Sequence, residues 1–102
     1  MLIRPQDRDT LIRLLKSHLP DTEIWAFGSR VTGKAHPGSD LDLVAMSDNE
    51  QAIFLAQEAL ENSALPFRVD LLSWPTLPPT MQENICQHHE VLIPAPERNP
   101  HD

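Results

Sequence analysis

The sequence predicts a small α/β domain in which helices alternate with the strands of a mixed sheet. The chain has 102 residues, a length that suits one domain. Apolar residues make up 40% of it and fall in separate clusters, so burial can offset chain entropy without disulfides. We expect this domain over residues 1–93. Three prolines and mixed charges predict a flexible tail over 94–102.

The first half of the chain predicts a helix, a strand and a loop. Leucine and isoleucine recur at helical spacing from Asp9 to Leu19, and Pro20 ends this helix. The apolar segment 23–27 runs into Gly28 and predicts a buried strand. The polar segment from Arg30 to Ser39 contains glycine and proline, so it predicts a loop with one helical turn at its start.

The rest of the chain, from residue 41, predicts two helices and three extended segments. The extended segments cover residues 41–46, 67–72 and 91–93. Ser47 and Glu50 have the spacing of a capping box, which predicts a helix from Glu50 to about Asn62 that buries Phe54 among other apolar residues. Prolines 78 and 79 suit the first turn of a short helix, in which Cys86 is expected to be a small buried residue.

Charge and cysteine content exclude several classes of protein. The net charge of −7 opposes phosphate backbones, so nucleic acid is not an expected partner. The single cysteine excludes an internal disulfide framework and favours a reducing cytoplasm. No apolar run approaches the ~20 residues that cross a bilayer, and no basic stretch with an apolar core opens the chain. We therefore expect a cytoplasmic protein without a membrane partner.

Three aspartates occupy chemically informative positions in the predicted strands. Side chains alternate along a strand, so Asp40 and Asp42 point to one face and Leu41 to the other. Asp70 interrupts the apolar run of the next strand, where a charge is costly unless it is solvated, paired or bound to a cation. If the two strands are neighbours, the three carboxylates lie together.

Such a cluster is unstable until it is neutralised. Two carboxylates about 4 Å apart repel by about 4 kcal/mol at an effective dielectric of 20. Mg²⁺ prefers oxygen ligands and shares them between carboxylates and substrate phosphates. Gly28 leaves room for a phosphate, and Ser29 offers a hydroxyl and amide groups. We therefore expect a magnesium and triphosphate site.

Less specific interpretations exist for each part of this pattern. Asp40 and Asp42 alone are typical of a solvated strand start, because D-x-D is frequent by chance. Their combination with Gly28-Ser29 and Asp70 favours the metal–phosphate site. Arg30 either balances local charge or contacts phosphate. The five histidines show no paired metal-ligand spacing.

The pattern Gly28-Ser29, a spacer, Asp40-Leu41-Asp42 and a later Asp70 resembles the signature of the nucleotidyltransferase superfamily of polymerase-β-like fold. With Gly33 in the spacer, it looks most like the minimal nucleotidyltransferase branch, and the resemblance covers nearly the whole chain. It implies a small mixed β-sheet flanked by helices.

The resemblance also implies roles for individual residues. Two Mg²⁺ ions would lie on Asp40 and Asp42, with Asp70 at the ion nearer the incoming nucleophile. The triphosphate of ATP would contact Gly28-Ser29. The remaining nucleotide-binding residues implied by the resemblance are Arg30 and Ser39.

Members of this branch are commonly antitoxins that pair with an all-helical HEPN ribonuclease toxin, and some transfer AMP to a toxin tyrosine. The resemblance therefore implies an Mg²⁺-dependent enzyme that forms a hetero-oligomer with its toxin. An alternative is an antitoxin that neutralises its toxin by binding alone. A third is transfer to a small molecule, although such enzymes usually carry a further substrate-binding domain.

Overall fold

Helices and strands alternate along the part of the chain that the computed structural model describes, residues 3–34 and 39–96. The helices are α1 (Pro5–His18), α2 (Ser29–Thr32), α3 (Glu50–Glu61) and α4 (Pro79–Gln87). The strands are β1 (Ile24–Phe27), β2 (Leu41–Ala45), β3 (Val69–Ser73) and β4 (Glu90–Ile93). A 3₁₀ turn, Trp74–Thr76, follows β3. The predicted α/β class is confirmed.

The four strands form one mixed sheet in the order β3-β2-β1-β4. Strand β1 pairs antiparallel with both β2 and β4, whereas β2 and β3 are parallel. A parallel pair needs a crossover connection, and α3 provides it. The two strands that carry the predicted aspartates are therefore direct neighbours.

One face of the sheet packs against α1 and α3. Burying a leucine or isoleucine there contributes about 1.5–3 kcal/mol relative to exposure. The fully buried residues of this core include Leu11, Leu15, Ile24, Ala26, Leu41, Leu43 and Ala45. Because side chains alternate along β2, Asp42 belongs to the opposite face.

An aromatic cluster covers part of that opposite face. The Trp25 ring stacks on His89 with ring centroids 3.9 Å apart, and it meets Trp74 edge-on at 5.5 Å. The Trp25 indole also donates a hydrogen bond to Glu23. These rings lie near Val44, the β2 partner of Trp25, and away from Asp42. They do not cover the end of β2 that carries Asp42.

Several local predictions are corrected by the structure. The α1 helix begins at Pro5 rather than near Asp9, because proline suits a first turn and Asp7 pairs with Arg4 at 2.9 Å. The α3 helix begins at Glu50 as expected, but its cap is Asn49, whose side chain accepts from the Ala52 amide at 3.1 Å. The capping box was therefore the wrong mechanism for a correct helix start.

Two residues expected in the core are exposed. Phe54 is 62% exposed because α3 buries the stripe Ile53, Ala56 and Leu60, and Phe54 falls beside that stripe. Cys86 is also exposed, and its neighbour Ile85 is the buried residue of α4. Apolar side chains next to a buried stripe are therefore poor indicators of the core.

Within the described ranges, no helix combines the length and apolar character needed to cross a membrane. Residues 94–96 are exposed and follow β4 without regular secondary structure. The rest of the predicted tail, from residue 97, and the 35–38 part of the predicted loop lie outside the described residues.

Candidate active site

The predicted aspartates meet where β1, β2 and β3 run side by side. In the register of the sheet, Asp42 on β2 lies opposite Phe27 on β1 and opposite Asp70 on β3. Partners in a ladder project to the same face, and neighbouring strands lie about 4.8 Å apart. Asp40 precedes β2 by one residue and is exposed. The structure thus brings the three carboxylates to one region of one face.

The electrostatics of Asp42 reflect this crowding. Partial burial raises the pKa of the Asp42 carboxyl, and the negative charges of Asp70 and Asp40 raise that pKa further. The folded protein therefore disfavours the ionised form of Asp42. A cation bound between these oxygens would relieve the repulsion, and an all-oxygen donor set fits Mg²⁺.

The carboxylates of Asp40, Asp42 and Asp70 do not surround a common point in this structure. Among residues 3–34 and 39–96, no three His, Cys, Asp or Glu side chains form a group that could hold a metal ion as they stand. The Asp70 carboxylate instead accepts a hydrogen bond from the Arg68 guanidinium at 3.1 Å. Exposed ion pairs of this kind contribute about 0–1 kcal/mol, so a bound cation can compete with Arg68 for Asp70.

Gly28 allows the chain to turn directly beside Asp42. Its φ of +81° is disfavoured for other residues, and a Cβ built there would lie 2.5 Å from Oδ2 of Asp42. Its carbonyl accepts from the amides of Val31 and Thr32, both at 3.1 Å, and so starts α2 at Ser29. The predicted phosphate-binding bend is therefore in contact range of a predicted metal ligand.

Arg30 is buried, and its side chain links the Gly28 bend to the segment before β2. Its Nε and Nη2 donate to the Ser39 carbonyl at 3.1 and 2.7 Å. The guanidinium also lies over the Phe67 ring, 4.7 Å from its centroid. Arg30 thus connects the start of α2 to the residue before Asp40. A direct phosphate contact of Arg30 stays a prediction, as does a nucleotide contact of Ser39.

A second supporting side chain, Gln57 on α3, was not predicted from the sequence. Its side-chain amide donates to the Val69 carbonyl at 2.7 Å and accepts from the Leu71 amide at 2.8 Å. These two groups flank Asp70 on the outer edge of β3, so Gln57 takes the place of a neighbouring strand. A lone glutamine in an amphipathic helix carries no signal of this role. Phe67, expected at the start of the third strand, lies before β3 and contacts the Arg30 guanidinium instead.

A mixed sheet that carries a Gly-Ser bend beside acidic residues of two adjacent strands is the arrangement expected of a nucleotidyltransferase domain. The sequence model of the family "Nucleotidyltransferase domain" matches residues 8–92, and the chain belongs to this family. The family predicted from the sequence is thereby confirmed, and with it the enzyme class.

Similar proteins extend this result. A Haemophilus influenzae relative described as "Probable protein adenylyltransferase MntA" is 42% identical over 94 residues, which cover 88% of this chain and 82% of the relative. A chain of a toxin–antitoxin complex crystallised with AMP-PNP matches with a TM-score of 0.72 and 24% identity, over 86% of this chain and 73% of that one.

A third match comes from the Shewanella oneidensis complex of a tri-AMPylated HEPN toxin with its MNT antitoxin. Its TM-score is 0.63 at 22% identity, and the match covers 91% of this chain and 74% of that one. At these identities the two solved structures establish a shared fold, which confirms the predicted architecture.

Proposed function

We propose that this protein transfers AMP from ATP to a hydroxyl group, that of a tyrosine, on a HEPN ribonuclease toxin and so acts as its antitoxin. The observation that carries the proposal is the register that sets Asp42 opposite Asp70, with the Gly28 bend so close to Asp42 that a Cβ at Gly28 would clash with its carboxylate. The similarity to a protein adenylyltransferase and to chains of toxin–antitoxin complexes supports the choice of reaction and partner.

Three residues would hold two magnesium ions. Asp40 and Asp42 would contribute to both ions, and Asp70 would complete the one nearer the acceptor, once its carboxylate leaves Arg68. Bound Mg²⁺ neutralises phosphate charge and stabilises the attacking and leaving oxygens of the displacement. The positive charge of these ions would offset the repulsion from Asp70 and Asp40 that adds to the effect of burial on the pKa of Asp42.

The remaining residues position the nucleotide and the acceptor. Gly28 and Ser29 would bind the triphosphate, and Arg30 would keep Ser39 and Asp40 in place. Asp70 would accept the proton of the acceptor hydroxyl. The hydroxyl oxygen would at the same time form a bond to the α-phosphorus. The bond from that phosphorus to the bridging oxygen breaks, and pyrophosphate leaves with the electron pair.

The proposed assembly is a hetero-oligomer with the toxin in the cytoplasm, where ATP is available and the exposed Cys86 stays reduced. The net charge of −7 disfavours direct nucleic-acid binding. The proposed acceptor is a side chain of the partner protein, presented to the aspartates of β2 and β3.

Labelled transfer tests this proposal. The purified protein is incubated with α-labelled ATP, Mg²⁺ and the HEPN protein encoded beside it, and label on the toxin is expected. An Asp40→Asn/Asp42→Asn double variant should lose transfer. Asp48→Asn, an exposed aspartate beyond β2, is the matched control and should retain it. Absence of wild-type transfer, or full transfer by the double variant, would refute the proposal.

The second candidate is an antitoxin that acts by binding alone. It is favoured by one observation, that the described carboxylates do not form a ready metal-binding group. In that case the Asp40→Asn/Asp42→Asn variant would still protect cells that express the toxin. Loss of protection by a variant that still binds the toxin would exclude this candidate.

A further inference from the structure

A cleft opens next to the Gly28 bend. It has a volume of about 240 Å³ and lies between β1, α2 and α4. Phe27 and Gly28 contribute one side of it, and Met81, Asn84 and Ile85 of α4 contribute the other. The bend proposed to bind the triphosphate therefore also forms part of this cleft.

The chemistry of the cleft does not suit a phosphate group. Its walls are mainly the apolar side chains Phe27, Met81 and Ile85, and Ile85 is only 3% exposed. A phosphate moved against such walls would lose water and gain few hydrogen-bond donors in return. A flat heteroaromatic ring gains from the same walls, because it buries apolar faces and can stack on an aromatic side chain.

The position of Phe27 connects the cleft to the reacting centre. Phe27 is the partner of Asp42 in the β1–β2 ladder, so both side chains project from the same face of adjacent strands. A nucleotide whose phosphates lie at Gly28 and Asp42 therefore has its next portion within reach of Phe27. The portion that follows the phosphates and the sugar is the base.

Asn84 is one of the polar residues that line this mainly apolar cleft, together with Thr32 and His88. A side-chain amide carries a donor and an acceptor side by side, and asparagine pairs with adenine through the exocyclic amine and a ring nitrogen. We propose that this cleft receives the nucleobase of the ATP substrate and that Asn84 reads its edge. The inference rests on the proposed nucleotidyl transfer and assigns the part of the site that selects the base.

Two ligands separate base binding from phosphate binding. A non-hydrolysable ATP analogue and inorganic tripolyphosphate, each with Mg²⁺, are titrated calorimetrically into the wild type and three variants. Asn84→Leu removes the amide, and Met81→Trp fills the cleft. Gln87→Leu changes an exposed polar residue of the same helix that is not part of the cleft. Thermal melts verify that each variant is folded.

We expect Asn84→Leu and Met81→Trp to weaken the ATP analogue about tenfold, a loss within the range of one bidentate base contact, and to leave tripolyphosphate affinity unchanged. Gln87→Leu should match the wild type for both ligands. Equal losses for both ligands, or no loss with the folded cleft variants, would overturn the nucleobase assignment alone. If the wild type binds neither ligand, the proposed function fails, and the assignment fails with it.

Discussion

The guanidinium of Arg30 donates two hydrogen bonds to the carbonyl of Ser39, at 3.1 and 2.7 Å, across the spacer that separates the Gly-Ser bend from the aspartates. Both residues are buried. The connection fixes the distance between Asp40 and the Gly28-Ser29 bend, which are apart in sequence but would act on one nucleotide in the proposed reaction.

Replacing Arg30 should therefore affect stability and catalysis together. In Arg30→Met the buried Ser39 carbonyl loses these donors, which costs about 1–3 kcal/mol of unfolding free energy. Urea denaturation measures this, and labelled transfer should fall because Asp40 loses its support. Arg13→Met, at an exposed position of α1, is the control. If Arg30→Met unfolds at the same urea concentration as the wild type, the hydrogen bonds from Arg30 to Ser39 do not contribute to stability.

Gln57 gives a second prediction, because its amide must both donate and accept. Gln57→Glu keeps the size but removes the donor to the Val69 carbonyl, so we expect a loss of about 1–3 kcal/mol at neutral pH. Thermal or urea unfolding measures the change. Gln51→Glu, exposed on the same helix, should change stability little. Equal effects of the two substitutions would contradict a specific role of Gln57.

Among the described residues, two glycines with positive φ offer a matched pair. Gly28→Ala and Gly33→Ala both place a side chain on strained backbone, at φ of +81° and +82°, which costs about 1–3 kcal/mol. Only at Gly28 does the added methyl meet Asp42, at 2.5 Å, whereas nothing lies within 4 Å at Gly33. Tripolyphosphate binding with Mg²⁺ should therefore be lost in Gly28→Ala and kept in Gly33→Ala. Comparable binding by both would argue against a site at the bend.

The raised pKa of Asp42 predicts a pH effect on the metal-free protein. Because burial and the charges of Asp70 and Asp40 raise this pKa in the folded state, the ionised carboxylate opposes folding at neutral pH. The contribution of Asp42 to stability should therefore improve as pH falls through the raised pKa. In chelator at neutral pH, Asp42→Asn should melt higher than the wild type.

Two comparisons check the Asp42 prediction. Asp48→Asn, in the exposed segment after β2, should leave the melting temperature unchanged in chelator. Added Mg²⁺ should raise the melting temperature of the wild type more than that of Asp42→Asn. A lower melting temperature for Asp42→Asn in chelator would mean that the cluster is not under electrostatic strain.

The sequence predicted the strands and the placement of the acidic residues well, for a physical reason. Apolar residues flank Asp42 in β2 and Asp70 in β3. When these apolar side chains are buried on one face of the sheet, the two aspartates must project from the other face. The location of the Gly28 bend followed in the same way from a strand that ends at a glycine.

The parts that were not predicted depend on contacts between distant segments. The Gln57 pairing with β3 and the Arg30 contact with Phe67 join residues whose proximity exists only after the sheet has formed. The Asn49 cap was missed because several polar residues near Glu50 can cap a helix, and backbone geometry selects one. Local patterns cannot decide such cases.

Strand β3 ends the sheet, and an open rim of this kind ordinarily invites another chain to add a strand. Here the Gln57 amide occupies the backbone groups on either side of Asp70, so an intruding strand would have to displace it. The side chain that supports the Asp70 carboxylate, the proposed proton acceptor, would therefore also hinder self-association along this edge strand.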